Sequence, residues 1–189
     1  VAFTVLGDKS VSQYYSKLVT SSYDDREYGH SGNSYGIFWG YLGSNCGGPK
    51  ALAAFAKEMR WYSALTRKAD GSFVTQAIGG YYGGRGIIDA TVAHVLFNAL
   101  PLKKIHLTGK DVAKELHLSD KDVEEAIDAG RWRLAEYQKM SADELISKLG
   151  SWSPAAREWI ADWLGKKKGD HTAKLLKLLE SDDHCTRAG

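Results

Sequence analysis

Apolar residues recur at helical spacing along much of this chain. Between residues 50 and 63 they fall three or four positions apart, and basic side chains occupy the opposite face; the apolar positions include Leu52, Phe55, Ala56 and Met59. This spacing places side chains on one side of a helix. Pro49 suits the first turn of such a helix, because the N–H that proline lacks has no intrahelical partner there. The pattern therefore predicts an amphipathic helix that begins at Pro49.

Further helices are predicted on both sides of this segment. Residues 10–20 read as a short helix, and residues 33–42 combine aromatic with small residues, which lets neighbouring helices approach closely. Residues 87–100 are apolar almost all round, a pattern typical of a fully buried helix. Polar or glycine-rich segments separate these stretches, so the first half of the chain predicts stacked helical hairpins.

The second half of the chain is more charged, and its predicted helices are shorter. Three segments resemble capping boxes, in which a Ser or Thr side chain closes the start of a helix: Thr108–Asp111, Ser119–Asp122 and Ser141–Glu144. We expect two regions on this basis. Residues 1–108 form helical hairpins, and residues 109–189 hold short amphipathic helices and the start of a helical-repeat segment.

A pattern near the end of the chain occurs twice at a spacing of 30 residues. Ser151 and Arg157 in the first segment correspond to Ser181 and Arg187 in the second. Helix pairs that repeat at such a period are typical of helical solenoids. Because a terminal repeat without a neighbour leaves an apolar face uncovered, we expect this sequence to be a fragment whose partner is the remainder of its own polypeptide beyond Gly189.

Composition and charge argue against several classes of function. The net charge is +2 and acidic residues are interspersed with the basic ones, so no nucleic-acid partner is expected. No apolar run approaches the roughly 20 residues that span a bilayer. Cys46 and Cys185 lie far apart, and neither a metal site nor a cofactor is predicted. The compartment stays unknown, with a periplasmic or secreted location open if a leader was removed.

The candidate chemistry is concentrated in the glycine-rich loop 79–86 and near it. Tyr81 and Tyr82 offer stacking surfaces, and Arg85 can bind a carboxylate through two hydrogen bonds. His30 is a candidate general base, and Asp89 a candidate acid or base. Together these side chains would suit abstraction of a proton beside a sugar carboxylate.

A structural interpretation of the same residues is preferred. Here the glycines build a tight loop, Asp89 caps the helix that follows, and His30 bonds a backbone carbonyl. A second candidate is the polar stripe that Thr91, His94 and Asn98 form on an otherwise apolar helix. For His94, ligand binding and a hydrogen-bonding role in the core are both open.

Five short motifs together resemble the uncharacterised bacterial DUF6288 family: Gly29–Asn33, Cys46–Pro49, Arg60–Tyr62, Asp70–Phe73 and Ala99–Gly109. The resemblance runs over roughly residues 28–189. It implies a fold similar to the α/α toroids of terpene cyclases and prenyltransferases, followed by HEAT-like repeats, and it implies no reaction. The Asp70–Phe73 motif also resembles one that ties helix ends together in terpene cyclases, but their acidic motif is missing, so cyclisation is not expected.

We therefore expect an all-α protein, with stacked helical hairpins resembling part of an α/α toroid that run into a HEAT-like repeat. The preferred function is a helical scaffold or binding segment of a larger protein with no catalytic activity of its own; a polysaccharide or a protein is open as its ligand. This function predicts that Trp159, Trp163 and Leu176 are buried. The alternative is a carbohydrate-active enzyme, similar to a polysaccharide lyase or a hydrolase, whose catalytic candidates converge at the mouth of the toroid.

Overall fold

The computed structural model describes residues 1–24, 34–74, 85–104, 110, 112–131 and 134–189, and within these ranges it contains helices and no strand. It divides into two compact units, residues 1–131 and 132–189. The helices of the first unit are α1 (Ala2–Leu6), α2 (Lys9–Thr20), α3 (Ser34–Cys46), α4 (Pro49–Thr66), α5 (Arg85–Ala99) and α6 (Asp120–Gly130). Those of the second are α7 (Leu134–Lys139), α8 (Ala142–Lys148), α9 (Pro154–Gly165), α10 (Thr172–Leu179) and α11 (His184–Ala188). The predicted all-α class is confirmed, and the toroid-like arrangement stays a prediction.

The core of the first unit lies between α3, α4 and α5. Its largest fully buried side chains from α3 and α4 are Ile37, Tyr41, Leu42, Phe55, Met59 and Tyr62. The Tyr41 ring stacks on Phe97 of α5 at 3.9 Å and meets the edge of Phe55 at 5.2 Å. A side chain at Gly40 would come within 2.7 Å of the Phe55 ring, so the small residues of α3 allow α4 to pack closely.

Helix α5 differs from the fully buried helix that its apolar sequence predicts. Ala90, Ala93 and His94 lie on its buried side, whereas Val92 is 54% exposed and Val95 is 62% exposed. Ala93 belongs to the core that α5 shares with α3 and α4. The valines point away from that core, so the expectation of burial on all sides was wrong.

Helix α6 belongs to the first unit, although it follows the predicted sequence boundary at residue 108. Lys17 of α2 donates to Asp122 at 2.9 Å and to Glu125 at 2.5 Å, and the Tyr23 hydroxyl donates to the Ile127 carbonyl at 2.6 Å. These contacts join residues more than 100 positions apart. The division of the sequence at residue 108 stays a prediction about its composition and repeats, and the compact units meet after Arg131.

The second unit has a small core of its own, in which α8 packs on α9. Its buried residues are Leu145, Ile146, Leu149, Ile160 and Leu164. Both helices begin as their sequences predict. Ser141 forms a complete capping box with Glu144 at the start of α8, and Ser153 caps α9, whose first residue is Pro154.

Candidate functional site

One predicted site residue, His94, has a described side chain. Three of the others fall outside the described residues: His30, Tyr81 and Tyr82. Arg85 and Asp89 contribute backbone to α5, and their side chains also lie outside the described part. The convergence of these residues on one pocket, and the catalytic and binding roles assigned to them, stay predictions.

His94 is buried, with 2% of its surface exposed, and its ring stacks on Phe73 at 3.9 Å. Burial lowers the pKa of this imidazole to about 4, so the ring is neutral at pH 7. The neighbouring polar residues of α5 bond to backbone: Thr91 accepts from the Phe73 N–H at 3.0 Å, and the Asn98 amide donates to the His94 carbonyl at 2.8 Å. The polar stripe thus fastens α5 to the segment that carries Phe73.

That segment is a tight turn after α4. Asp70 accepts hydrogen bonds from the N–H and hydroxyl of Ser72 at 2.9 and 2.7 Å, and Arg67 bridges to Phe73 across the turn. The Val74 N–H donates to the Thr66 carbonyl at 2.9 Å. The Asp70–Phe73 motif therefore connects the end of α4 to α5, which is a structural use of these residues.

A cavity of about 420 Å³ lies in the first unit where α3 ends and α4 begins. Its apolar wall is formed by Pro49, Leu52, Ala53, Ala56, Phe97, Pro101 and Val112. Asn45, Lys103 and His117 are the polar and charged side chains that line it, and no carboxylate is among the described lining residues. We call this space the α4 cavity. Sequence reasoning missed it, because its wall is assembled from four separate segments of the chain.

Two backbone features hold His117 at the α4 cavity. The Gln13 amide donates to the carbonyl oxygens of Glu115 and His117, at 3.2 and 2.9 Å. Gly48 has φ +96°, and a Cβ at this position would lie 2.7 Å from Cγ of the His117 ring. A glycine is therefore needed on both counts, since other residues rarely adopt this φ and their side chains would collide with the imidazole.

Lys103 supplies the positive charge of the α4 cavity. Its backbone is left-handed, with φ 47°, and its N–H donates to the Leu100 carbonyl at 3.2 Å. The pKa of His117 is lowered by burial and further by the charges of Lys103 and Lys114, against a smaller opposite effect of Glu115. The imidazole is therefore neutral at pH 7, whereas the ammonium of Lys103 is charged.

In the second unit, the loop before α9 is closed by three hydrogen bonds. The Ser153 N–H donates to the Ser151 hydroxyl at 3.3 Å, and the Ala156 N–H donates to the Ser153 hydroxyl at 3.3 Å. Arg157 then reaches back and donates to the Ser151 carbonyl at 2.6 Å. The guanidinium thus fixes the first turn of α9 against the loop that precedes it.

The loop before α11 has the same three bonds, 30 positions later. The Asp183 N–H donates to the Ser181 hydroxyl at 3.2 Å, and the Thr186 N–H donates to the Asp183 carboxylate at 2.7 Å. Arg187 donates to the Ser181 carbonyl at 2.5 Å. The spacing noticed in the sequence therefore corresponds to two copies of one hydrogen-bonded loop.

The helices before the two loops also correspond, since α8 begins at Ala142 and α10 at Thr172. Leu145, Ile146 and Leu149 of α8 match, at the same spacing of 30, the leucines Leu175, Leu176 and Leu179 of α10. The α8 residues are buried, with Leu149 only 2% exposed. The α10 residues are not: Leu175 is 37% exposed, and Leu176 and Leu179 are each 58% exposed.

The burial expected for Leu176 was therefore wrong, and Trp159 and Trp163 are half-buried. The physical reason lies in what covers each helix. Ile160 and Leu164 of the twelve-residue α9 cover α8, whereas the five-residue α11 lies beside α10. A groove of about 250 Å³ remains between α10 and α11, and we call it the α10 groove.

Two searches of the described residues bear on membranes and metals. Within the described ranges, no helix is both long and apolar enough to cross a bilayer. No group of three or more His, Cys, Asp or Glu side chains that could hold a metal occurs in the same part of the chain.

Comparison with known proteins gives a family and no activity. The model of a family described as a domain of unknown function, DUF6288, matches residues 1–109. This match begins and ends earlier than the expected range of 28–189, and it stops before α6. No curated protein and no solved structure matches the chain.

Proposed function

This chain belongs to the DUF6288 family, and we propose that it acts as a helical scaffold or binding segment. In this proposal the second unit is built from a helical repeat of 30 residues, and the α10 groove receives an amphipathic helix. The observation that carries the proposal is the contrast between equivalent leucines, buried on α8 and exposed on α10. The HEAT-like character of the repeat is part of the proposal.

The packing of α8 supplies the pattern for the helix that the α10 groove would accept. Ile160 and Leu164, four residues apart on α9, lie on the same face and cover α8. A helix with apolar residues at this spacing would bury the three α10 leucines in the same way. An exposed row of leucines at helical spacing, flanked by polar residues, is typical of a groove that binds an amphipathic helix.

The other side of α10 is already occupied. Leu178 packs against the core formed by α8 and α9, and Lys174 pairs with Asp143 of α8. These contacts fix the orientation of α10, so the exposed leucines occupy a defined face. A fixed face loses little conformational entropy when it binds, which favours docking over non-specific association.

A fluorescein-labelled peptide with the sequence of residues 153–165 tests the proposal by fluorescence anisotropy with the full chain. We expect saturable binding, because the peptide presents Ile160 and Leu164 to the α10 groove. Leu176→Asp should weaken this binding by at least about tenfold, since a carboxylate against apolar side chains is costly to desolvate.

Leu65→Asp is the matched control, because Leu65 is 74% exposed on α4 and lies outside the groove. It should leave peptide binding unchanged. A peptide in which Ile160 and Leu164 are both serine should not bind. The proposal is wrong if the wild-type peptide fails to bind, or if Leu176→Asp and Leu65→Asp bind it equally well.

A further inference from the structure

We infer that the α4 cavity is a binding site for a small amphipathic anion, a molecule with an apolar body and one sulfonate or carboxylate group. This site lies in the first unit and is independent of the scaffold role proposed for the second. The inference rests on three properties of the cavity: its size and lining, its charge, and the way in which its polar groups are held.

The size and lining suit an apolar body. A volume of about 420 Å³ falls within the range of roughly 300–1,000 Å³ that is usual for small-molecule sites. Seven of the eleven lining residues are aliphatic, aromatic or proline. Ala53 and Ala56 are the short side chains of α4 that leave this space open, and they are three residues apart on one helix face.

The charge of the lining selects the polar end of the ligand. Lys103 carries the positive charge, and among the described lining residues no Asp or Glu neutralises it within the cavity. A sulfonate or carboxylate near Lys103 gains a charge-assisted hydrogen bond. A cationic group in the same position would be repelled. The neutral imidazole of His117 can add a hydrogen bond without requiring a change of protonation.

The polar groups are held in place before any ligand binds. Gln13 fixes the backbone of His117 through two carbonyl oxygens, and the His117 ring packs against Gly48. Lys103 keeps a left-handed backbone conformation that is uncommon for a lysine. Groups that are already ordered make binding less costly in entropy. The cavity therefore has the properties of a formed site.

Two fluorescent probes that differ in charge test this inference on the full chain: 1-anilinonaphthalene-8-sulfonate, and its neutral analogue N-phenyl-1-naphthylamine. We expect the sulfonate to bind at one saturable site with enhanced, blue-shifted emission, and to bind more tightly than the neutral probe. Lys103→Gln should weaken sulfonate binding about two- to fivefold, as expected for a partly exposed ion pair, and leave the neutral probe unchanged.

Two further variants complete the test. Lys104→Gln removes an exposed lysine that does not line the cavity, and it should leave both probes unchanged. Ala53→Phe narrows the cavity at a position open to solvent, so it should weaken both probes by tenfold or more. The inference is overturned if Lys103→Gln and Lys104→Gln have the same effect on sulfonate binding. It is also overturned if Ala53→Phe binds both probes as the unmodified chain does.

Discussion

The two copies of the repeat in the second unit allow the same substitution to be compared in two environments. Leu149 follows the last turn of α8 and is 2% exposed, and Leu179 ends α10 and is 58% exposed. Both are leucines at equivalent positions, 30 residues apart. Replacing each by alanine removes the same atoms, so any difference in stability reports on the surroundings.

The expected magnitudes follow from burial. Leu149→Ala leaves a cavity among Leu145, Ile160 and Leu164 and should cost about 3 kcal/mol of the free energy of unfolding. Leu179→Ala removes a side chain that is less than half buried and leaves no closed cavity, so it should cost about 1 kcal/mol or less. The difference of about 2 kcal/mol is the quantity to measure.

Hydrogen exchange measured by mass spectrometry is the suitable assay, because it gives the free energy of opening for each segment of a chain that has two compact units. Peptides that cover α8 and α9 report on the core of the second unit. The reasoning is refuted if the two variants lose the same protection, since the leucines of α10 would then be as buried in solution as those of α8.

Three further predictions concern single positions. Gly130→Ala should destabilise the first unit by about 1–3 kcal/mol, because a Cβ there would lie 2.2 Å from the Ser21 carbonyl oxygen; Gly165→Ala, also at a helix end but with open space around it, should gain up to about 1 kcal/mol, and thermal melts compare the two. The pKa of His94 is about 4 in the folded chain, below its unfolded value, so the stability linked to it is complete above pH 6.5 and is lost as the pH falls towards 4, at about 1.4 kcal/mol per unit of difference. His94→Phe should remove this part of the loss between pH 7 and pH 4.5 in urea titrations, and an unchanged loss would contradict it. Arg157→Met keeps the aliphatic stem but loses the bond to the loop carbonyl, so the start of α9 should lose about 1 kcal/mol of hydrogen-exchange protection while the first unit is unaffected.

Helix positions and their caps could be predicted from the sequence because they depend on neighbouring residues. Pro49 begins α4, Ser119 and Ser141 cap α6 and α8, and the glycine-rich α3 packs closely on α4. The 30-residue spacing of Ser151 and Ser181 was also visible. In each case the determining contacts lie within a few residues, so local pattern and geometry agree.

Exposure and cavities could not be predicted in the same way, because they depend on which element covers which face. The apolar sequence of α5 gave no sign that Val92 and Val95 face outward, and the burial of Leu176 was assumed from its spacing alone. The salt bridges of Lys17 that place α6 in the first unit join residues distant in sequence. The α4 cavity depends on the same kind of long-range assembly.

A completed second repeat tests the central claim most directly. In this chimera residues 184–189 are replaced by the sequence of Pro154–Gly165, so that a copy of α9 follows the loop at Ser181. The account predicts that the copied Ile160 and Leu164 cover the α10 leucines and raise the free energy of opening of α10 by about 2–4 kcal/mol in hydrogen exchange. A control chimera with serine at both copied positions should show no such rise. Equal protection in the two chimeras, or none in either, would contradict the claim that the α10 groove accepts a helix.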